Sequence, residues 1–100
     1  MDVLAKKVGG DLILSFIGEL DDHSAASVRQ KLDGVTESNN FDAVVFDMSK
    51  LTFMDSTGIG VLIGRYKKLK DRHKLYIKNP SKNVDMIFQI SGLYSIMPKI

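Results

Sequence analysis

Four consecutive apolar residues, Ala43-Val44-Val45-Phe46, constrain this chain more than any other feature in it. A strand with one wet face alternates apolar and polar residues, so an unbroken run calls for a strand covered on both faces, as interior strands of largely parallel sheets are. Residues 41–48 are therefore placed in the middle of a sheet. Upstream, Ala25, Val28, Leu32 and Val35 recur at helical spacing, behind Asp22 or Ser24 as a cap and ahead of Ser38-Asn39-Asn40 as a stop. Downstream, Ile59, Leu62, Ile63, Tyr66 and Leu69 share one helical face, and the basic residues fill the other.

The remaining segments complete an alternation of strands and helices. Residues 3–8 and 12–17 read as strands joined by Gly9-Gly10, a dipeptide suited to the positive φ angles of a tight antiparallel hairpin. Residues 75–78 form a further short strand. Beyond Asn79-Pro80, Ser81 caps a last helix through Val84, Ile87 and Phe88, and Gly92 ends it with Leu93 placed for a Schellman contact. Residues 93–97 read as extended. Strands alternating with helices imply right-handed crossovers. The predicted fold is α/β: a mixed, mostly parallel β-sheet with an antiparallel edge strand and helices packed on it.

Several function classes fall away on composition. One hundred residues support one domain with one modest core, not a deep multi-lobed active site. With no cysteine, and His23 and His73 the only histidines, disulfide frameworks, thiol chemistry and cysteine or imidazole-rich metal sites are excluded. Metal catalysis would fall to carboxylates alone; Asp21, Asp22, Asp47 and Asp55 could gather at one end of the sheet around magnesium, although capping suits Asp22 and Asp55 as well. The N-terminal residues lack an apolar core behind a basic start, and no run of apolar residues is long enough for a membrane span. The expectation is a cytosolic, unanchored protein.

Charge is uneven. Residues 65–74 carry six Lys/Arg against one Asp, a local charge of +5 inside a formal total of +2, so the other ninety residues sum to −3. Such a segment could attract nucleic acid or an acidic partner. It also falls where a helix ends, and cations are favoured there by the helix dipole. Tyr66 is its one aromatic and belongs to the apolar face, which leaves nucleic-acid binding the weakest reading.

Residues 47–64, DMSKLTFMDSTGIGVLIG, lead from the central strand into a helix that carries Gly58, Gly60 and Gly64 in its early turns. Interior glycines cost about 1 kcal/mol each relative to alanine, so close approach is expected: of the sheet, or of a partner backbone or phosphate at the helix N-terminus. The nucleophile elbow G-x-S-x-G would need glycine where Met54 stands. The Rossmann pattern would need it at Ile63, and the phosphate-loop Gly-Lys-Ser/Thr is absent. What remains is Asp55-Ser56-Thr57-Gly58 at a strand-to-helix junction, two hydroxyls where one cap suffices. One of the pair is expected to cap the helix, Thr57 being the better suited.

The string FMDSTGIGVLIGRYK, preceded by GELDDHSA and followed by ISGL, resembles the anti-sigma factor antagonists of the STAS domain family, and within them the sporulation type most closely. The resemblance spans nearly the whole chain and implies a STAS-like fold over a single domain, residues 1–100, without the further C-terminal helix usual in the family. It implies a binding switch rather than an enzyme: an anti-anti-sigma factor that needs no cofactor or metal. Its unphosphorylated form would bind an anti-sigma factor serine kinase, together with that kinase's nucleotide, and so release the sigma factor. Ser56 would be the phosphorylation site, restored by a metal-dependent serine phosphatase. Asp55, Ser56, Thr57 and Gly58 match the family motif, and Glu19, Asp21 and Asp22 match its acidic loop; with Gly60 and Gly64 these are the expected partner-binding positions. Neither nucleic acid nor membrane is implied as a partner. The alternative on the same fold is a small-anion or nucleotide sensor, with Ser56 as a ligand contact and the basic segment guiding the anion.

Overall fold

The chain first reverses at Gly9-Gly10. In the computed structural model, which describes residues 1–100, β1 (Asp2–Val8) and β2 (Asp11–Leu20) pair antiparallel across this two-residue turn, Val8 opposite Asp11. Gly9 supplies a φ of 62°, which a side chain would resist. At Gly10 a Cβ would meet only the exposed Asp42 carboxylate, which is free to turn aside, and the Asp42 N–H donates to the Gly10 carbonyl at 2.7 Å.

After β2 come α1 (Ala25–Ser38), β3 (Ala43–Met54), α2 (Ser56–Leu69), β4 (Lys74–Lys78), α3 (Lys82–Ser91) and a 3₁₀ turn over Leu93–Ser95. The sheet order is β1-β2-β3-β4, with β2, β3 and β4 mutually parallel. This is the mixed, mostly parallel sheet with an antiparallel edge strand. Both parallel steps run the same way across the sheet, so right-handed crossovers put α1 and α2 on one face, where they touch.

That face holds the core. Leu12, Leu14, Phe16 and Leu20 of β2 and Val44, Phe46 and Met48 of β3 join Val28 and Leu32 of α1, Val61 and Leu62 of α2, and Val84 and Phe88 of α3 in one cluster. Phe16 and Phe46 meet edge to face at 5.8 Å between centroids. The apolar run at 43–46 is covered less completely than its pattern suggests: Val45 is buried, at 5% exposure, yet lies outside the cluster. Ile13 and Tyr76, its register partners, are only half-buried.

The expectation that β3 ends at residue 48 is corrected, because the strand continues to Met54 with its register shifted twice. Two residues of β2 step against three of β3 between Asp47 and Lys50, and one steps against two between Leu51 and Phe53. Bulges of this kind leave residues unpaired and bend the strand. Here the Asp47 carboxylate accepts the Ser49 N–H at 3.0 Å, and the Thr52 hydroxyl donates to the Gly18 carbonyl at 3.1 Å. Below the shifts, Met48, Leu51 and Met54 point into the core.

The extended reading of residues 93–97 is corrected too. Gly92 ends α3 in the left-handed conformation, φ 76°, and the chain then turns tightly, Met97 N–H bonding to the Leu93 carbonyl at 2.9 Å. Extended pairing begins only afterwards, where Ile77 of β4 donates to the Pro98 carbonyl and accepts from the Ile100 N–H. Tyr94 packs edge to face on Phe88, and its hydroxyl donates to Asp85 at 2.5 Å; Lys99 donates to the same carboxylate at 3.0 Å. Burial, followed by the hydrogen bond to Asp85, pushes the Tyr94 phenol well up, while the bond from Tyr94, followed by that from Lys99, holds Asp85 below its usual range.

Tyr94→Phe is therefore expected to lower Tm by about 4 °C at neutral pH. A phenol with a raised folded pKa stabilises the fold below the unfolded value of about 10, and this is lost as pH rises through the folded one. Wild-type stability should decline with pH above about 10, and the variant should lack that part of the decline; denaturant melts at neutral pH and above 10 measure it.

Candidate functional site

The shifted register brings the ends of β2 and β3 level. Leu20 pairs with Met54, and the Asp55 N–H donates to the Leu20 carbonyl at 3.3 Å. The turn after β2 and the start of α2 therefore lie side by side at one pole of the molecule.

Asp55 keeps extended backbone and caps α2: its Oδ1 accepts the N–H groups of Thr57 at 2.9 Å and Gly58 at 3.3 Å. The expected hydroxyl cap is thereby corrected, since a carboxylate one residue earlier takes the same donors. Ser56 and Thr57 stand in the first helical turn, Ser56 exposed and Thr57 half-buried, and neither hydroxyl has a hydrogen-bond partner within the chain. Gly58 is the glycine that close approach demands. A Cβ there would lie 2.7 Å from Met54 Cγ and 3.0 Å from Leu20 Cγ, so its absence lets the start of α2 settle onto the strand ends.

Gly60 and Gly64 do not meet the expectation of tight packing against the sheet, because a Cβ at either would touch nothing within 4 Å. Ser56, Gly60 and Gly64 follow one another at i, i+4 and i+8 and so share a stripe along α2. The serine hydroxyl stands at the head of that bare strip.

The neighbouring acidic turn is held by its own bonds. Asp21 Oδ1 accepts the N–H groups of His23 at 3.0 Å and Ser24 at 3.1 Å, and the Ser24 hydroxyl donates to the Glu19 carbonyl at 2.9 Å. The Ser24 N–H is the chief reason that Asp21 lies below the usual carboxylate range. Ser24 occupies the N-cap position of α1 without a side-chain capping bond; Asp22 points outward, 3.8 Å from His23 with both side chains well exposed. Asp47 is engaged at the bulge, and no three carboxylates or histidines converge as a metal site would require. Phe53 was overlooked in the sequence. It is 48% exposed and pairs in register with Glu19, in a stretch that the sequence pattern assigns to a loop.

The basic segment lies elsewhere. Arg65 is nine residues along α2 from Ser56, about 14 Å at helical rise, so this segment lies apart from the Ser56 hydroxyl. Nor do all its charges face water: Arg65 is on the buried face of α2.

A model of the STAS domain family matches residues 2–100. This chain belongs to that family. The STAS domain is 34% identical to the anti-sigma F factor antagonist of Paenibacillus polymyxa over 90 residues, covering 89% of this chain and 77% of the relative. It is 31% identical to the anti-sigma-B factor antagonist of Bacillus subtilis (strain 168) over 98 residues, covering 97% and 88%. Among solved structures it superposes on the anti-sigma factor antagonist SpoIIAA in its unphosphorylated form with a TM-score of 0.78 and 27% identity, covering 99% of this chain and 88% of that one. The Bacillus SpoIIAA structure in the phosphorylated form gives 0.70 and 26%, over 99% and 91%. No helix of this STAS domain is long and apolar enough to cross a membrane.

The glycines of α2 should separate by substitution. Gly58→Leu is expected to cost about 1–3 kcal/mol through overpacking against Met54 and Leu20, whereas Gly60→Ala should stabilise by about 0.5–1 kcal/mol because helix propensity is gained in open space. Urea denaturation of the two variants measures both. Asp55→Ala should cost about 1 kcal/mol through loss of the cap.

Proposed function

We propose that this chain is an anti-sigma factor antagonist working as a partner switch in the cytoplasm. Its unphosphorylated form docks on an anti-sigma factor serine kinase, with that kinase's nucleotide in place, and frees the sigma factor; phosphorylation of Ser56 ends the binding, and a metal-dependent serine phosphatase restores it. The docking surface is the pole formed by Glu19, Asp21 and Asp22 with Asp55, Ser56, Thr57 and Gly58, continued along the strip of Gly60 and Gly64. The chain's part is recognition, not catalysis.

The observation that carries this reading is the exposed, unbonded Ser56 hydroxyl beside a helix cap already supplied by Asp55. A kinase can take that hydroxyl without dismantling the cap. Phosphorylation adds about −1.5 to −2 charge, next to the Asp55 carboxylate and across from the acidic turn. The helix dipole returns roughly 0.3–1 kcal/mol. Burying the same dianion in an interface without a cation costs several kcal/mol, and about 1.4 kcal/mol is tenfold in affinity. The modification therefore acts on binding and leaves the fold nearly unchanged.

With the cognate kinase and ATP, fragment mass spectrometry should place the phosphate on Ser56 and find none on Ser56→Ala; phosphate on Thr57 would overturn the assignment. By calorimetric titration with the kinase and nucleotide, Ser56→Ala should bind nearly as wild type. Ser56→Asp, which brings one negative charge, should bind roughly tenfold to a thousandfold more weakly with stability changed by less than about 1 kcal/mol. Aspartate binding as tightly as serine would show that charge alone is not the mechanism.

A further inference from the structure

The second register shift in β3 decides which way an aromatic side chain faces. Gly18 pairs with Leu51 and Glu19 with Phe53, so Thr52 is an extra residue without a partner in the ladder, and its hydroxyl is tied to the Gly18 carbonyl at 3.1 Å. Leu51 points into the core. In a regular strand the residue two further on would follow it inward. The extra residue breaks that alternation: Met54 takes the next inward place, and Phe53 is turned out and left half exposed. Bulges that re-aim a side chain in this way are concentrated next to functional sites.

The place of the ring matters as much as its exposure. Phe16, Phe46 and Phe88 are core residues, and Phe41 packs against the core. The other large apolar side chains open to water are Leu4 and Val8 on β1, Met86 and Ile90 on α3, and Ile100. None of these is aromatic, and none lies at the ends of β2 and β3. Phe53 alone stands there: Glu19 is its ladder partner, and only Met54 and Asp55 separate it from Ser56 along the chain. An aromatic ring beside carboxylates has the composition of an interface centre with its polar rim, in which the ring supplies apolar area and the charges steer approach.

Given the partner-switch reading, on which this rests, we infer that Phe53 is the apolar anchor of the docking pole. Its counterpart on the anti-sigma factor kinase is an apolar pocket bordered by cations, the pocket taking the ring and the cations facing Glu19, Asp21 and Asp22. The ring holds the complex together once it has formed, and the carboxylates speed its formation.

The test is a kinetic binding measurement with the kinase and nucleotide at several salt concentrations. Wild type should bind. Phe53→Ala should weaken binding about thirtyfold, chiefly through faster dissociation, with the dependence of affinity on salt unchanged. Phe53→Leu, which keeps most of the apolar volume, should retain most of the affinity. Asp22→Asn should instead slow association and flatten the salt dependence. Val8→Ala, which trims a similarly exposed apolar side chain at the start of the hairpin turn, should change neither. Urea melts should show Phe53→Ala folded; a variant that no longer folds would make the ring structural and overturn the assignment. Phe53→Ala binding as tightly as wild type, or losing affinity through the salt dependence as Asp22→Asn does, would overturn the anchor and leave the switch standing. Wild type that fails to bind the kinase would overturn both.

Discussion

The parallel pairing of β2 with β3, and the two places where its register shifts, determine where the rest of the structure goes. Without the extra residues on β3, Leu20 would not stand beside Met54, and the Asp55 N–H would not reach the Leu20 carbonyl. That bond joins the acidic turn to the start of α2. Gly58 makes the junction close enough to matter, since a side chain there would push the helix away from Leu20 and Met54. The surface proposed for docking is thus built on core contacts, while its working groups stay in water.

Capping by Asp55 divides the labour at this junction. In many helices the first hydroxyl holds the first turn, and modifying it would loosen the helix. Here the carboxylate takes the Thr57 and Gly58 donors, and Ser56 is left without a structural duty. Regulation by charge can then act at full strength on a partner's affinity without drawing on a stability that for any domain is only several kcal/mol.

Sequence and structure agree wherever the apolar spacing is uninterrupted. The hairpin, the three helices and β4 follow from period two or period 3.6, and the mixed sheet follows from their alternation. The second half of β3 was hidden because the shifts convert a period of two into inward residues at 48, 51 and 54, a spacing that strands do not normally show. The cap could not be assigned from type alone: Asp55, Ser56 and Thr57 are all good capping residues, and only the backbone conformation distinguishes them. Arg65 was placed with the other cations on the wet face, whereas its ionic partner Asp33 comes from α1, through a contact that exists only in the assembled fold. The open surroundings of Gly60 and Gly64 were equally illegible, since a glycine in a helix reads the same whether its neighbour is a strand or solvent.

The order of the strands across the sheet is also their order along the chain, and this has a consequence for how the molecule is made. Each strand that emerges during synthesis finds its neighbour already formed: β2 folds back on β1 through two residues, and β3 and β4 each arrive after a single helix. No strand has to be inserted between two others, and loop closure is confined to short separations, which keeps the topological cost of folding low. Assembly can proceed from the N-terminal hairpin onward, and the segment at 98–100 is drawn onto Ile77 once β4 is in place.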